Sequence, residues 1–173
     1  MTAAGLWENL IATDQRLSAR LRAGVPSRGW RALASFLAHS GDSWFCIAGL
    51  VLVGWLAPDW REWVIKMAIG IAVVAGGSQI LKWLVRRRRP AGEWGGLYRR
   101  TDPHSFPSGH AARMAVLLVL ALALGPGWLA VLLLAWLPAV ALAQVAMGVH
   151  YLSDVVAGMG LGLVLGGVLL LFF

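Results

Sequence analysis

Apolar residues run along this chain in blocks of helical length, and polar residues gather in the gaps between them. Residues 1–24 mix the two types. Leu6, Leu10, Ile11, Leu17 and Leu21 recur near helical spacing, with Arg16, Arg20 and Arg22 between them. That pattern predicts an amphipathic helix lying on a membrane surface. Pro26 breaks it, residues 29–39 form a second short helix ended by Ser40-Gly41, and Asp42 is placed to cap the next one. Five apolar spans follow, at about residues 43–57, 63–85, 109–124, 128–149 and 154–173. At ~1.5 Å per residue, about twenty residues cover a ~30 Å hydrocarbon core, so the first span is short and either tilts little or draws on the turn before it. Pro58-Asp59 and Gly125-Pro126-Gly127 read as turns, and Pro138 as a kink. The expected fold is an all-α, polytopic membrane helical bundle of about five transmembrane helices. It forms a single domain over 1–173, with 1–40 as interfacial helices and 41–173 as the bundle that carries the chemistry.

Composition sharpens this. Of 173 residues, 59% are hydrophobic and 13% charged, about half the charged share of a soluble domain (~25%), and the mean hydropathy is +0.71. A water-soluble globule is excluded in practice. The net charge is +7, carried almost wholly by arginine, since Lys66 and Lys82 are the only lysines. Basic residues set between apolar spans suit anionic lipid or a phosphate-bearing substrate rather than nucleic acid, for which no solvated basic face is offered. The lone Cys46 permits no disulfide framework. Glu8 and Asp14 near the start argue against a cleaved leader.

With five spans, the N-terminus, the 86–108 connection and the 150–153 turn share one membrane face. Trp55, Trp60, Trp63 and Trp128 sit near the other face, and Trp83 and Trp94 near the polar one, as an aromatic belt would. Gly158, Gly162 and Gly166, spaced by four, read as close helix packing inside the bundle, with a homodimer seam as the other reading.

Polar residues at membrane depth are costly and usually functional. They gather at three places on that one face: Lys82 with Arg89-Pro90, Pro107-Ser108-Gly109-His110 at the start of the third span, and His150 with Asp154 at the start of the fifth. Lys82 and Arg89 are fixed cations suited to a phosphate dianion, which arginine grips with two hydrogen bonds. Ser108 and Gly109 sit at a helix N-terminus, where backbone amides and the helix dipole favour an anion. His110 and His150 can move protons or attack phosphorus near neutral pH. Asp154, four residues beyond His150 on the same helix face, can fix its tautomer.

Lys82, six residues, Arg89-Pro90; Pro107-Ser108-Gly109-His110; and His150, three residues, Asp154: in this order, the chain resembles the type-2 phosphatidic acid phosphatase superfamily of membrane lipid phosphatases. The resemblance covers roughly residues 40–173. It implies metal-free hydrolysis of a lipid phosphate or diphosphate through a phosphohistidine, with no cofactor. His150 would be the nucleophile and Asp154 its orienting carboxylate. His110 would protonate the leaving group, and Lys82, Arg89, Ser108 and Gly109 would hold the phosphoryl oxygens. Phosphatidic acid, phosphatidylglycerophosphate and polyprenyl phosphates or diphosphates are the candidate substrates.

The third motif departs from the family pattern, which opens with Ser-Arg where this chain has Ala143-Gln144. Gln144 is read either as a phosphate contact, bringing a hydrogen bond but no charge, or as a neutral packing residue, and losing one oxyanion donor costs ~2.7–4 kcal/mol of transition-state binding. Arg113, three residues after His110 on the same helix face, is the expected substitute cation. Phosphotransfer from the same histidine to an acceptor other than water is an alternative, and so is lipid-phosphate binding or transport at low activity. Arg86, Arg87 and Arg88 read as topological anchors, His39 as an interfacial residue, and Glu93, Arg99 and Arg100 as loop solvation. Asp102 and His104 either shape headgroup choice or order the loop. Outside the proposed site, arginines crowd the site's face against Arg61 and Lys66 on the other, so the positive-inside rule puts the site in the cytoplasm of a multi-pass cell-membrane protein.

Overall fold

The computed structural model describes residues 3–24, 27–91 and 102–173. Seven α-helices stand in it: α1 (Ala3–Ala23), α2 (Arg28–Ser40), α3 (Ser43–Leu56), α4 (Arg61–Val85), α5 (Gly109–Leu124), α6 (Gly127–Ala146) and α7 (Leu152–Leu169). A 3-10 turn, Pro58–Trp60, leads into α4. Pro26, Glu93, Trp94, Arg99 and Arg100 lie outside the described residues.

α5 is the axis of the bundle, packed by α4, α6 and α7. Its sequence explains its place. Ala111, Ala112 and Ala115 let neighbouring backbones come close, and Val116, Leu118 and Leu120 fill the core. Gly158, Gly162 and Gly166 of α7 face α5. A Cβ on Gly158 would strike the carbonyl oxygen of Ser108, one on Gly162 that of Ala112, and one on Gly166 would lie 2.9 Å from Val119 Cβ. The glycine stripe therefore seats α7 on α5 within the chain.

The outer faces of the long helices are apolar, with Val131, Leu134, Val156 and Val164 exposed, as helices facing lipid require. Three segments are long and apolar enough to cross a membrane: Pro58–Val85, Gly127–Ala146 and Leu152–Leu169. A fourth forms if α2 and α3, bent by 67° at Gly41-Asp42, count as one broken span. The sequence count of five included α5, which at 16 residues is shorter than the three long spans. The fourth span also ends earlier than the pattern predicts. Gly148 adopts a left-handed φ of 67°, which a residue with a Cβ resists, and the chain folds back so that the Val149 and His150 amides bond the Gln144 carbonyl at 3.0 and 3.3 Å. Pro138 lies inside a continuous α6.

α1 is more than a surface helix. Leu10, Leu17 and Leu21 are exposed as expected, but Ser18 is fully buried and its hydroxyl accepts from the Leu152 amide at 3.0 Å, docking α1 onto the start of α7.

Candidate active site

Four chain segments meet at one end of the bundle. The last turn of α4 supplies Lys82. Arg86 then takes a left-handed conformation that ends α4, and the chain runs on through Arg87 and Arg89. The first turns of α5 supply Ser108, Gly109, His110 and Arg113, and the α6–α7 turn supplies His150, with Asp154 in the first turn of α7. The Ser108 hydroxyl caps α5 by accepting from the Ala111 amide at 3.4 Å, and the Ser108 amide donates to the Asp154 carbonyl at 2.8 Å. This bond ties the start of α5 to the start of α7, and thus sets His110 beside His150. Their ring centroids are 6.3 Å apart.

His150 is 1% exposed. Arg89 NH1 stands 3.2 Å from its Nε2, and because arginine can only donate, Nε2 accepts. The ring proton is then on Nδ1, which faces Asp154 Oδ2 at 3.7 Å, too long for a direct hydrogen bond. Burial pushes the His150 pKa down to about 4, with the nearby Arg89 charge adding to the shift and Asp154 opposing it. The ring is neutral at physiological pH.

Asp154 is fully buried and held on both oxygens. Its Oδ1 accepts from Arg87 NH1 at 2.7 Å and its Oδ2 from the Tyr151 amide at 2.8 Å. Arg87 also donates to Ser153 Oγ at 2.6 Å and to Asp14 Oδ2 of α1 at 2.6 Å, and lies 4.1 Å over the Tyr151 ring. Asp14 in turn accepts from the Ser153 amide at 2.9 Å and its hydroxyl at 2.6 Å. The expectation that Arg87 is only a topological anchor is thereby corrected. An anchor would point to headgroups, whereas this guanidinium is spent on two carboxylates and a ring.

Lys82 and Arg89 do converge. Both bind the same carboxylate oxygen, Oδ2 of Asp102, Arg89 at 2.9 Å. Arg89 further donates to the backbone carbonyls of Asp102 and Val149 at 2.7 and 3.0 Å. Asp102 is thus the shared carboxylate partner of Lys82 and Arg89. His104 pairs by its backbone with Arg88, which orders the connection.

His110 Nε2 lies 2.6 Å from Asp42 Oδ1, and Asp42 Oδ2 lies 3.0 Å from Nδ1 of the half-exposed His39. Arg113 is buried and donates to the Gly41 carbonyl, next to Asp42. It lies inside the bundle and is bonded to the backbone at the α2–α3 break. Gln144 is fully buried and donates its amide to the Ala38 carbonyl of α2 at 2.9 Å. That bond ties α6 to α2, so the side-chain nitrogen assigned to phosphate from the sequence is spent on the backbone of α2. Gly109 sits in ordinary space, a Cβ there meeting Ser78 Oγ at 3.6 Å. Among the described residues no group of three His, Cys, Asp or Glu is placed to hold a metal ion.

Sequence reasoning missed Asp14, Arg87 and Ser153 as parts of the site, and took Asp42 for a simple cap. The one available signal was a cap residue flanked by His39 and a glycine. The partners of Asp14 and Arg87 lie too far off in the chain for any spacing rule.

Beside the apolar flank of the site runs a cavity of about 710 Å³ between α3, α4, α5 and α6. Cys46, Leu50, Trp63, Met67, Leu133 and Trp136 line it. It extends from Ser40, next to the Gly41-Asp42 break, to Trp60 at the far end of α3.

The family model described as the PAP2 superfamily matches residues 63–173. The chain is 35% identical over 150 residues to the decaprenylphosphoryl-5-phosphoribose phosphatase of Mycobacterium tuberculosis, covering 83% of this chain and 81% of that protein. It is 35% identical over 151 residues to the same-named phosphatase of Mycolicibacterium smegmatis (86% and 78%). Among solved structures it superposes on a PAP2-type phosphatidylglycerolphosphate phosphatase from Bacillus subtilis with a TM-score of 0.78 at 23% identity, covering 95% of this chain and 86% of that one. Aquifex aeolicus LpxE gives 0.74 at 19% identity, covering 90% and 93%.

Proposed function

This chain belongs to the PAP2 superfamily and is a lipid phosphate hydrolase; from that premise we propose that it removes a phosphate monoester from a prenyl-anchored sugar phosphate, through a phosphohistidine on His150 and without a metal. The observation that carries the reading is the placing of the two imidazoles, 6.3 Å apart, beside Lys82 and Arg89 at one end of an apolar bundle. The 35% identity to decaprenylphosphoryl-5-phosphoribose phosphatases favours a polyprenyl carrier over a diacyl one. The 710 Å³ apolar cavity that reaches Ser40 offers that carrier's chain a berth while the headgroup stays at the site.

The chemistry follows from the atoms. His150 Nε2 attacks phosphorus as the bond to the leaving oxygen breaks, and Asp154 stabilises the Nδ1–H as the ring gains charge. His110 gives its proton to the leaving oxygen. A water then attacks the phosphohistidine, His110 takes the water's proton, the P–N bond breaks, and inorganic phosphate leaves with both histidines restored. Lys82 and Arg89, with Arg113 behind them, carry the charge on the phosphoryl oxygens. Phosphate-ester hydrolysis is among the slowest uncatalysed reactions, with enhancements reaching ~10²¹, so a cationic clamp is where most of the rate must arise. The same reading keeps the arginine-rich face, and the site, on the cytoplasmic side of a cell membrane crossed several times.

The test is phosphate release by purified protein from a prenyl-linked phosphate. His150→Ala should lose at least ~10³-fold in kcat, and rapid quenching of wild type turning over labelled substrate should recover phosphate on His150. Release only when an acceptor alcohol is added would make it a phosphotransferase. Binding with no His150-dependent release would make it a binder or transporter.

A further inference from the structure

Asp42 occupies the N-cap position of α3, with extended backbone angles, yet its side chain makes no capping bond. A cap aspartate normally accepts from an amide of the first helical turn, worth ~1 kcal/mol. Here the carboxylate is turned the other way, with Oδ1 on His110 Nε2 at 2.6 Å and Oδ2 on His39 Nδ1 at 3.0 Å and Trp44 Nε1 at 3.3 Å. The backbone is arranged for this contact. α2 and α3 bend by 67° at Gly41-Asp42. A Cβ on Gly41 would lie 3.3 Å from His110 Cδ2 and 2.9 Å from Val140 Cγ1, so glycine is what lets the break approach the imidazole. Arg113 holds the break by donating to the Gly41 carbonyl. His39, Gly41, Asp42 and Trp44 lie ahead of the residues that the family model matches, whereas His110, Arg113 and Val140 lie within them.

We infer that Asp42 is a positioning residue for His110: it fixes the ring and its tautomer and favours the protonated form that gives a proton to the leaving oxygen. The inference rests on the phosphohistidine reading above. An ionised carboxylate only accepts, so Nε2 carries the proton shared with Asp42, and transfer to the leaving oxygen runs through Nδ1. The site then holds two carboxylate–imidazole pairs with opposite tasks: Asp154 backs the nucleophile and Asp42 the acid. Among the described residues, the charged and titratable groups that face the Asp42–His110 pair include His39 from α2, Cys46 from α3, Lys82 from α4, Arg113 from α5 and His150 from the α6–α7 turn. Of these, the histidines and Cys46 bring no fixed negative charge, and the two fixed cations disfavour a charged His110. Asp42 is the group that offsets them.

A general acid matters in proportion to how badly the leaving group needs a proton. The experiment therefore compares two esters on the same full-length preparation, a prenyl phosphate with a poor alkoxide leaving group and p-nitrophenyl phosphate, whose aryloxide departs unprotonated. Asp42→Asn keeps shape and removes charge. It should lower kcat/KM, which ends at departure of the leaving group, about a hundredfold on the prenyl ester and far less on the aryl ester, should lower kcat on both because His110 also serves the shared water step, and should move the basic limb of kcat/KM on the prenyl ester downward. A thermal-unfolding midpoint in detergent close to that of wild type shows that the variant is folded. Equal losses of kcat/KM on both esters with an unmoved pH profile, or no loss on either, would overturn the inference. His150→Ala separates the two layers. If it releases phosphate at the wild-type rate, the phosphohistidine reading falls. If it is inactive while Asp42→Asn shows no leaving-group selectivity, only the role of Asp42 falls.

Discussion

Asp14→Ala removes a carboxylate of the first helix that touches neither imidazole, and it should nonetheless slow the enzyme. Asp14 accepts from Arg87 NH2 at 2.6 Å, from the Ser153 amide at 2.9 Å and from the Ser153 hydroxyl at 2.6 Å. The Asp14 and Arg87 side chains are 13% and 21% exposed. Breaking a fully buried pair costs ~3–5 kcal/mol, and partial access to water brings the expected loss of stability here to about 2–4 kcal/mol. The kinetic effect has a separate origin. Arg87 NH1 holds Asp154 Oδ1 at 2.7 Å, and with NH2 released the guanidinium is fixed only through its other contacts. A shift of about 1 Å at the reacting atoms costs on the order of 10²-fold, so kcat should fall between about tenfold and a hundredfold with KM little changed. Asp14→Asn keeps acceptor capacity toward Ser153 but not the charge, and should fall between. The assay is phosphate release per folded molecule, with the folded fraction taken from thermal unfolding in detergent. A lowered midpoint with kcat per folded molecule within twofold of wild type would show that the network supports the fold but does not aim Asp154.

Two further outcomes follow from the same geometry. His150 has a folded pKa of about 4 against an ordinary 6.5, so its neutral form contributes stability that is complete above pH 6.5 and is lost as pH falls through 4. The midpoint of wild type should drop relative to His150→Gln between pH 7 and 4, by at most the equivalent of about 3 kcal/mol, and a constant difference would refute the buried neutral ring. Gly162→Ala sets a methyl against the Ala112 carbonyl and 2.7 Å from Ala115 Cβ; it should destabilise by ~1–3 kcal/mol in denaturant unfolding, whereas Gly160→Ala, which meets nothing within 4 Å, should be near neutral.

The helices were legible in the sequence because apolar period and length are local properties, and every predicted span has its helix. Lys82, Arg89, His110, His150 and Asp154 were legible through motif spacing, and the structure brings them together. Their partners were not. Asp42 is 68 residues from His110, Arg87 is 73 from Asp14 and 67 from Asp154, and Asp102 is 20 from Lys82. No periodicity links such positions, because the bundle's topology and not the chain decides who meets whom. Arg87 shows the difficulty best. In sequence it is indistinguishable from Arg86 and Arg88, yet the Arg86 side chain donates to the Trp83 carbonyl of its own helix end, while Arg87 links α1 to the aspartate beside His150.

Composition misled in one respect, and the reason bears on how the site is built. A net charge of +7 suggests cations waiting for an anion. In the fold, the cations of the site are already balanced: Lys82 and Arg89 by Asp102, Arg87 by Asp14 and Asp154, and Arg113 lies beside Asp42, whose neighbouring carbonyl it binds. Charges at the edge of a hydrocarbon layer are tolerated only when paired, since the desolvation cost of a lone buried ion is several kcal/mol. The carboxylates that make this possible come from four separate places: α1, the α2–α3 break, the connection before α5, and α7. Two of them, Asp14 and Asp42, precede the segment matched by the family model. The first forty-two residues are therefore not an accessory to a self-sufficient core. They supply two of these four carboxylates, Asp14 and Asp42, so the helices that looked peripheral in the sequence help to build the candidate site.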